Sequence, residues 1–142
     1  MTGGTAMDEG SKVRAGGLFG PGDPAVKEKR RRTHSLSLDY NRTYEGETEK
    51  RQDILRRIVA HLGEGSFMQG PIFFHYGCHT TIGRTFFANF NFTVQDDAPV
   101  TIGDDCNFGP TVPLVTPLHP MPPAERRCRR PATGSERHLR YL

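Results

Sequence analysis

The fold is decided by the stretch Ile82–Gln95, which reads IGRTFFANFNFTVQ. An apolar residue stands at every sixth position, and a small or polar residue follows each one: Ile82-Gly83, Ala88-Asn89, Val94-Gln95. After two additional residues the same period resumes at Ile102, Phe108 and Leu114. A six-residue period matches neither a helix nor an alternating strand. It is typical of a parallel β-helix, in which short strands turn at regular corners and successive coils stack.

The period also predicts a register between coils. Three hexads make one coil, so Ile82 and Ile102 should lie above one another, with Val100-Thr101 bulging out as an additional pair. Stepping backward in sixes places Tyr76 and Gly70 in the lead positions. The fifth position of each hexad is also apolar and is expected to be buried: Phe86, Phe92, Ala98, Cys106, Val112, Leu118. The alternative is a set of ordinary strands separated by glycines.

Two helices are expected before the repeats. Asp23 and Pro24 form a typical helix start, as N-cap and first helical residue, and this helix should run to about Leu38. Its inward residues are predicted to be Val26, Leu36 and Leu38. The second helix is predicted from about Glu47 to Leu62, with Gly63 ending it.

The chain therefore divides into four predicted parts. Residues 1–20 form a flexible N-terminus and residues 21–66 a helical domain. Residues 67–119 form hexapeptide-repeat coils, fewer than three of them, and residues 120–142 an irregular basic tail. The expected fold class is mainly β, an incomplete parallel β-helix with an N-terminal helical subdomain.

Composition excludes several classes of protein. Leu, Ile, Val and Phe make up only 30 of 142 residues, which suits a narrow stack of coils better than a globular core. No apolar run reaches the roughly 18 residues that a membrane span needs, and residues 1–10 lack the apolar region of a signal peptide. Three cysteines without a C-x-x-C pair favour neither a disulfide framework nor a zinc site. The sequence predicts a soluble cytoplasmic protein.

Among the six histidines, His119 is the candidate for chemistry. It ends the last hexad and opens a Pro-rich loop, where an imidazole can act as a general base, although a solvated turn histidine is the alternative. His75 and His79 are four residues apart, but among hexads they should point to different faces, so no metal site is expected.

Longer motifs add a resemblance. The segments Ile82–Asn91, Asp96–Asp104 and Phe108–Pro110 resemble the maltose and galactoside O-acetyltransferases, which are hexapeptide-repeat acyltransferases of the nodulation-acetyltransferase type. Arg14–Phe19 and Asp23-Pro24 are similar to that family's short helical N-terminal domain. The resemblance spans about Lys12 to Arg126 and implies a left-handed β-helix.

The resemblance also implies a function, which is transfer of acetyl from acetyl-CoA to a sugar hydroxyl by a homotrimer. By the family's pattern His119 is the catalytic general base, and Asn89 and Asp97 bind the sugar acceptor. Asp96 stands where the maltose branch carries its acid. Phe87, Pro21 and His75 differ from the galactoside branch, which implies a different acceptor, and Leu118 adds bulk before His119.

The end of the chain departs from the family, which continues with further hexads that carry most of the coenzyme A contacts. The expectation is a C-terminally truncated or mis-predicted chain, from a natural lesion, a shifted reading frame or an error of gene prediction, or else a degenerate homologue, with its activity in question. The alternative is a non-catalytic carbohydrate-binding or subunit-interaction fragment. The basic clusters Lys27–Arg32 and Arg126–Arg130 suggest a nucleic-acid binder, but without interleaved aromatic residues no nucleic-acid partner is expected.

Overall fold

The computed structural model describes residues 18–19, 24–118, 121, 123, 132–134 and 139–141, with side chains between residues 24 and 118 and at 121 and 123. The first helix, α1, is Pro24–Asn41, and it starts at the predicted proline, while Asp23 lies outside the described residues. It runs past Leu38, whose side chain is 58% exposed and not inward as predicted. Its buried residues are Val26, Thr33, Leu36, Ser37 and Tyr40.

The second helix, α2, is shorter than predicted, because it covers Thr48–Ile58 and Val59 is already extended. Strand β2, His61–Leu62, follows and pairs in parallel with a strand of the next coil. Ala60 and Gly63 donate their N–H groups to Thr80 O and Ile82 O at 2.9 and 2.8 Å, bonds that a continued helix would forgo. Gly63 does not end a helix, but a Cβ on it would overlap the backbone of Gly83.

A left-handed parallel β-helix follows, built from three parallel sheets. The first coil contains β2, β3 (Phe67–Met68) and β4 (Ile72–Phe74). The second contains β5 (Thr80–Ile82), β6 (Phe87–Ala88) and β7 (Phe92–Gln95), and the third contains β8 (Val100–Ile102), β9 (Asn107–Phe108) and β10 (Pro113–Val115). Each strand pairs with its counterpart one coil later, so Leu62, Ile82 and Ile102 are stacked as the period predicts for the last two.

The additional pair of residues is not where it was predicted. Val100 and Thr101 lie within β8, paired with Thr80 and Thr81, and do not bulge. The surplus sits instead at one corner of the prism, in residues 75–79 and 96–99, between the paired strands. Counting backward from Ile82 therefore placed the predicted lead residues, Tyr76 and Gly70, two positions too late. The lead residues of the first coil are Leu62, Met68 and Phe74. Residues 61–115 thus form three coils, which begin before the predicted boundary at residue 67.

Aromatic side chains fill the centre of the prism. The Phe92 ring lies 5.9 Å from Phe74, 5.6 Å from Phe86 and 5.7 Å from Phe108, measured between ring centroids. The lead positions are buried, except for the half-buried Leu62 and Phe108. Of the six predicted fifth positions, Phe86, Phe92 and Ala98 are buried, whereas Cys106 and Val112 are half-buried and Leu118 is exposed.

The two helices cover the first coil. The Tyr40 hydroxyl donates to Met68 O at 2.6 Å, and Asn41 exchanges two hydrogen bonds with the backbone of Ile72. The buried Arg51 donates to Met68 O and Gln69 O at 2.9 and 2.7 Å. Satisfying the backbone of an end coil in this way is what a cap does.

The predicted irregular tail contains two short strands. Strand β13, Leu139–Tyr141, extends the sheet of β8 in parallel register, and β12, Ala132–Gly134, pairs antiparallel with β1 (Leu18–Phe19) and with β11 (Pro117–Leu118). Neither strand was predicted from the six-residue period. The predicted flexible N-terminus lies outside the described residues apart from β1. Among the described helices none is long and apolar enough to cross a membrane.

Candidate functional site

The corner that carries the surplus residues is held by Asp96. Its carboxylate is fully buried and accepts hydrogen bonds from Tyr76 N at 2.8 Å, Gly77 N at 3.1 Å and Thr80 Oγ1 at 2.9 Å. Gly77 has a positive φ, and a Cβ there would overlap the backbone oxygen of Ile58. Asp96 therefore ties the corner of the first coil to that of the second, and its oxygens are occupied.

The neighbouring Asp97 is different, although it is only 4% exposed. Its Oδ2 atom is buried and has no hydrogen-bond partner, and the same holds for the hydroxyl of Tyr76. Burial raises the pKa of Asp97, and burial together with the Asp97 charge raises the pKa of Tyr76 to about 12. Because buried polar atoms normally have partners, this acceptor and this donor mark a place for a polar ligand.

Two histidines stand beside this corner. The rings of His34 and His75 are 5.5 Å apart, and Phe73 lies 4.9 Å from His34. Burial, followed by the charge of Arg30, lowers the pKa of the half-buried His34. Burial, His34 and Arg30 lower the pKa of His75 to about 4. Both imidazoles are therefore neutral at pH 7.

Arg30, His34 and Tyr76 were not predicted as site residues. Arg30 contributes electrostatically to the pKa shifts of His34, His75, Tyr76 and Asp97, yet in the sequence its basic cluster was weighed only as a nucleic-acid binder. One signal was present in the sequence. Arg30 and His34 are four residues apart, which places both on one face of α1.

Asn89 lies at another corner of the prism. It follows β6, donates its N–H to Phe108 O at 3.0 Å, and accepts a hydrogen bond from Phe90 N through its side-chain oxygen at 2.8 Å. The four residues of β7 separate this corner from that of Asp97, which corresponds to about 13 Å of strand. The structure does not bring Asn89 and Asp97 together within one chain.

His119 directly follows β11 in the chain but lies outside the described residues, so its predicted role stays a prediction. In the part of the chain that the structure describes, no group of three or more His, Cys, Asp or Glu side chains could hold a metal ion.

The lowered pKa of His75 gives a pH dependence of stability. Its native pKa of about 4 lies below the unfolded value of 6.5, so between these values the unfolded state binds more protons. We expect the melting temperature to be highest above pH 6.5, where the contribution of His75 to stability is complete, and to fall as the pH is lowered toward 4. Replacing His75 with Asn should make that fall shallower in thermal unfolding followed by circular dichroism. The exposed His61 provides the control, and an equal flattening by His61→Asn would contradict the assignment.

Comparison with known proteins agrees with this architecture. Residues 12–63 match the model of the maltose acetyltransferase hexapeptide capping motif. The galactoside O-acetyltransferase of Escherichia coli K12 is 39% identical over 110 residues, which cover 78% of this chain and 54% of that protein. A maltose O-acetyltransferase structure from Clostridium difficile 630 superposes with a TM-score of 0.86 at 30% identity, over 92% of this chain and 70% of that one.

A galactoside acetyltransferase solved in complex with coenzyme A superposes with a TM-score of 0.81 at 35% identity, covering 89% of this chain and 64% of that chain. The three stacked sheets and their helical cap thus define a hexapeptide-repeat protein of the acetyltransferase class. Within that class, the chain belongs to the maltose and galactoside O-acetyltransferase family. It spans about half to two thirds of the length of these relatives.

Proposed function

We propose that this chain functions as an acetyl-CoA-dependent sugar O-acetyltransferase. The observation that carries the proposal is the buried Asp97 carboxylate with an oxygen that has no partner, in a chain of this family. A sugar presents several hydroxyl groups, each of which donates and accepts. One hydroxyl can therefore donate to Asp97 Oδ2 while another accepts from Tyr76, which satisfies both buried atoms.

The chemistry requires a base for the acceptor hydroxyl, and His119 is proposed for that role. An imidazole with an ordinary pKa near 6.5 is largely neutral at pH 7 and can take the proton as the hydroxyl oxygen attacks the thioester carbonyl. Acetyl-CoA would supply the acetyl group, and as its thioester bond breaks, coenzyme A would leave as the free thiol with the proton that the base removed. The free thiols Cys78 and Cys106 support a cytoplasmic location.

The positions of Asn89 and Asp97 support a homotrimer. Both are proposed to contact the acceptor, yet they stand at different corners of the prism with β7 between them. Two copies packed corner to corner would place Asn89 of one beside Asp97 of the other. A cyclic trimer contains three such junctions, all equivalent.

The proposed activity is tested by incubating the purified chain with acetyl-CoA and maltose, glucose or a galactoside. Acetylated sugar is then measured by mass spectrometry, a readout that protein thiols do not disturb. Formation of the acetylated sugar supports the enzyme. Sugar binding by calorimetry without turnover would instead favour the carbohydrate-binding fragment, because Tyr76 and Asp97 stand within the described coils and need no coenzyme A to bind a hydroxyl.

The shared site predicts recovery of activity in mixtures of two variants. Asp97→Asn and Asn89→Ala should each lower kcat/KM by about tenfold or more, the effect of losing a hydrogen bond to a charged group or an amide contact. After the two variants are unfolded and refolded together, about a quarter of the junctions combine a native Asn89 with a native Asp97. The mixture should therefore recover about a quarter of the wild-type rate.

The control is a mixture of either variant with the double variant, which contains no intact junction and should stay inactive. If the first mixture also stays at the level of the single variants, the two residues do not meet across subunits.

A further inference from the structure

A cleft opens between the two helices and the corner of the first coil. Its volume is about 270 Å³, and its lining includes Lys29 and Arg32 of α1, Arg57 of α2, and Tyr76, Cys78 and His79 of the corner. Asn89 and Asp97 are not among its lining residues. The proposed acetyl transfer leaves Cys78 and the three cationic side chains without a role.

The cleft is positively charged. No acidic side chain is among its lining residues. Arg31 of α1 is paired with Glu28 at 2.8 Å, and Arg42, just after the helix, is paired with Asp39 at 3.6 Å. Lys29 and Arg32 have no such partner among the described residues, and Arg57 reaches Asp53 only at 3.8 Å. Such a surface attracts anionic ligands.

Cys78 and His79 stand together at this surface. Cys78 is a free, exposed thiol. The Nδ1 atom of His79 is 2.8 Å from the backbone oxygen of Asp96, and because a carbonyl only accepts, Nδ1 carries the proton. This leaves Nε2 as the basic nitrogen. Burial lowers the pKa of His79, but hydrogen bonds with the Cys78 thiol and with Asp96 outweigh it, so the pKa is raised overall. A thiol, a base and a group that orients the base form a nucleophile arrangement.

Tyr76, whose hydroxyl is also proposed to contact the sugar acceptor, adds a second sign of a ligand at this cleft. Its side chain is 3% exposed and lines the cleft, and its buried hydroxyl has no partner in the described structure. The Cys78 thiol contributes electrostatically to the pKa of Tyr76, so thiol and phenol lie in the same neighbourhood. When no sugar is bound, a polar group held near Cys78 can accept from this hydroxyl instead.

We propose that Cys78 is a modification site, a nucleophilic thiol that exchanges with small disulfides carrying carboxylate or phosphate groups. The thiol proton passes to Nε2 of His79, and the Cys78 sulfur attacks one sulfur of the disulfide. The bond between the two disulfide sulfurs breaks, and the departing thiolate takes the proton from His79. The products are a mixed disulfide on Cys78 and one free thiol, so no further oxidant is needed. Lys29 and Arg32 hold the anionic groups of the reagent.

The test compares two disulfides on the full chain. One is 5,5′-dithiobis(2-nitrobenzoate), which carries two carboxylates, and the other is the neutral 4,4′-dithiodipyridine. Modification of Cys78 and Cys106 is followed separately by peptide mass spectrometry, so the half-buried Cys106 serves as an internal reference and no cysteine is replaced. The anionic reagent should modify Cys78 at least about tenfold faster than Cys106.

Two variants separate the roles of charge and base. The double variant Lys29→Gln/Arg32→Gln should slow the anionic reagent at Cys78 about tenfold and change the neutral reagent less than about twofold. Lys27→Gln/Arg31→Gln removes the same charge from α1 outside the cleft and should have little effect. His79→Asn should slow both reagents. The proposal is overturned if Lys27→Gln/Arg31→Gln slows the anionic reagent as much as Lys29→Gln/Arg32→Gln does. It is also overturned if Lys29→Gln/Arg32→Gln slows both reagents equally, or if His79→Asn changes neither rate.

Discussion

Replacing His119 with alanine is expected to lower the rate of acetyl transfer by about 10²–10⁴-fold, the usual contribution of a general base. A sugar hydroxyl is a weak nucleophile at neutral pH, and without a base it attacks the thioester carbonyl poorly. The effect should appear in kcat, because His119 acts on the reacting proton, while the KM for the sugar should change little. Acetylated sugar measured by mass spectrometry over a range of sugar concentrations gives both quantities.

The control for this variant is His61→Ala, which removes an exposed imidazole from β2 and should leave kcat unchanged. Equal melting temperatures for wild type and His119→Ala would show that the coils remain folded. If the alanine variant keeps more than about a tenth of the wild-type kcat, His119 is not the base.

Replacing Phe92 with alanine is expected to lower the free energy of unfolding by about 3–5 kcal/mol. The Phe92 side chain is 1% exposed and stands between Phe74 of the first coil and Phe108 of the third, with Phe86 beside it. Its removal leaves a cavity that touches all three coils. The rigid strand pairing on either side prevents collapse into that cavity, so most of the cost remains.

The matched control is Thr93→Ala in the same strand. Thr93 is paired with the same neighbouring strands, but the side chains of Phe92 and Thr93 point to opposite faces of the sheet. Its replacement should cost about 1 kcal/mol or less. Urea unfolding of both variants, followed by circular dichroism, provides the comparison. Equal losses for the two variants would mean that the prism is not held by its aromatic centre.

Much of the fold followed from the six-residue period. The predicted stacking of Ile82 and Ile102 is confirmed by the register of β5 and β8, and the lead positions from Ile82 onward are turned inward as expected. This was predictable because the period is a local property. A strand that turns after every few residues must place an apolar side chain inside at each turn, whatever its neighbours are.

The surplus residues were misplaced for a related reason. Removing two residues anywhere between Val94 and Ile102 restores the same period, so counting cannot decide which two lie outside it. The structure decides because Val100 and Thr101 pair with Thr80 and Thr81, which leaves the corner at 96–99 as the longer one. In the same way, the apolar spacing of α2 continues to Leu62, but pairing with β5 makes His61 and Leu62 a strand.

At the candidate site, too, the sequence predicted some features and only the structure decided others. The resemblance pointed to Asp97 and left Asp96 as an alternative, and two adjacent carboxylates are equivalent in sequence. Their surroundings separate them. Asp96 accepts backbone and hydroxyl donors across two coils, whereas Asp97 keeps a buried oxygen without a partner. Tyr76, Arg30 and His34 could not be assigned to this corner, because α1 packs there through contacts between residues distant in the chain.

By itself, the sequence determined that this chain is a capped parallel β-helix of the acetyltransferase class, since the repeat and its motifs are written in short consecutive segments. Tertiary structure alone decided where the coils begin, which carboxylate keeps an oxygen without a partner, and that Asn89 and Asp97 stand at different corners. The physical reason is that these properties depend on which groups approach one another across coils. Backbone pairing and burial determine which groups meet, and neither can be read from the spacing of residues within a single segment.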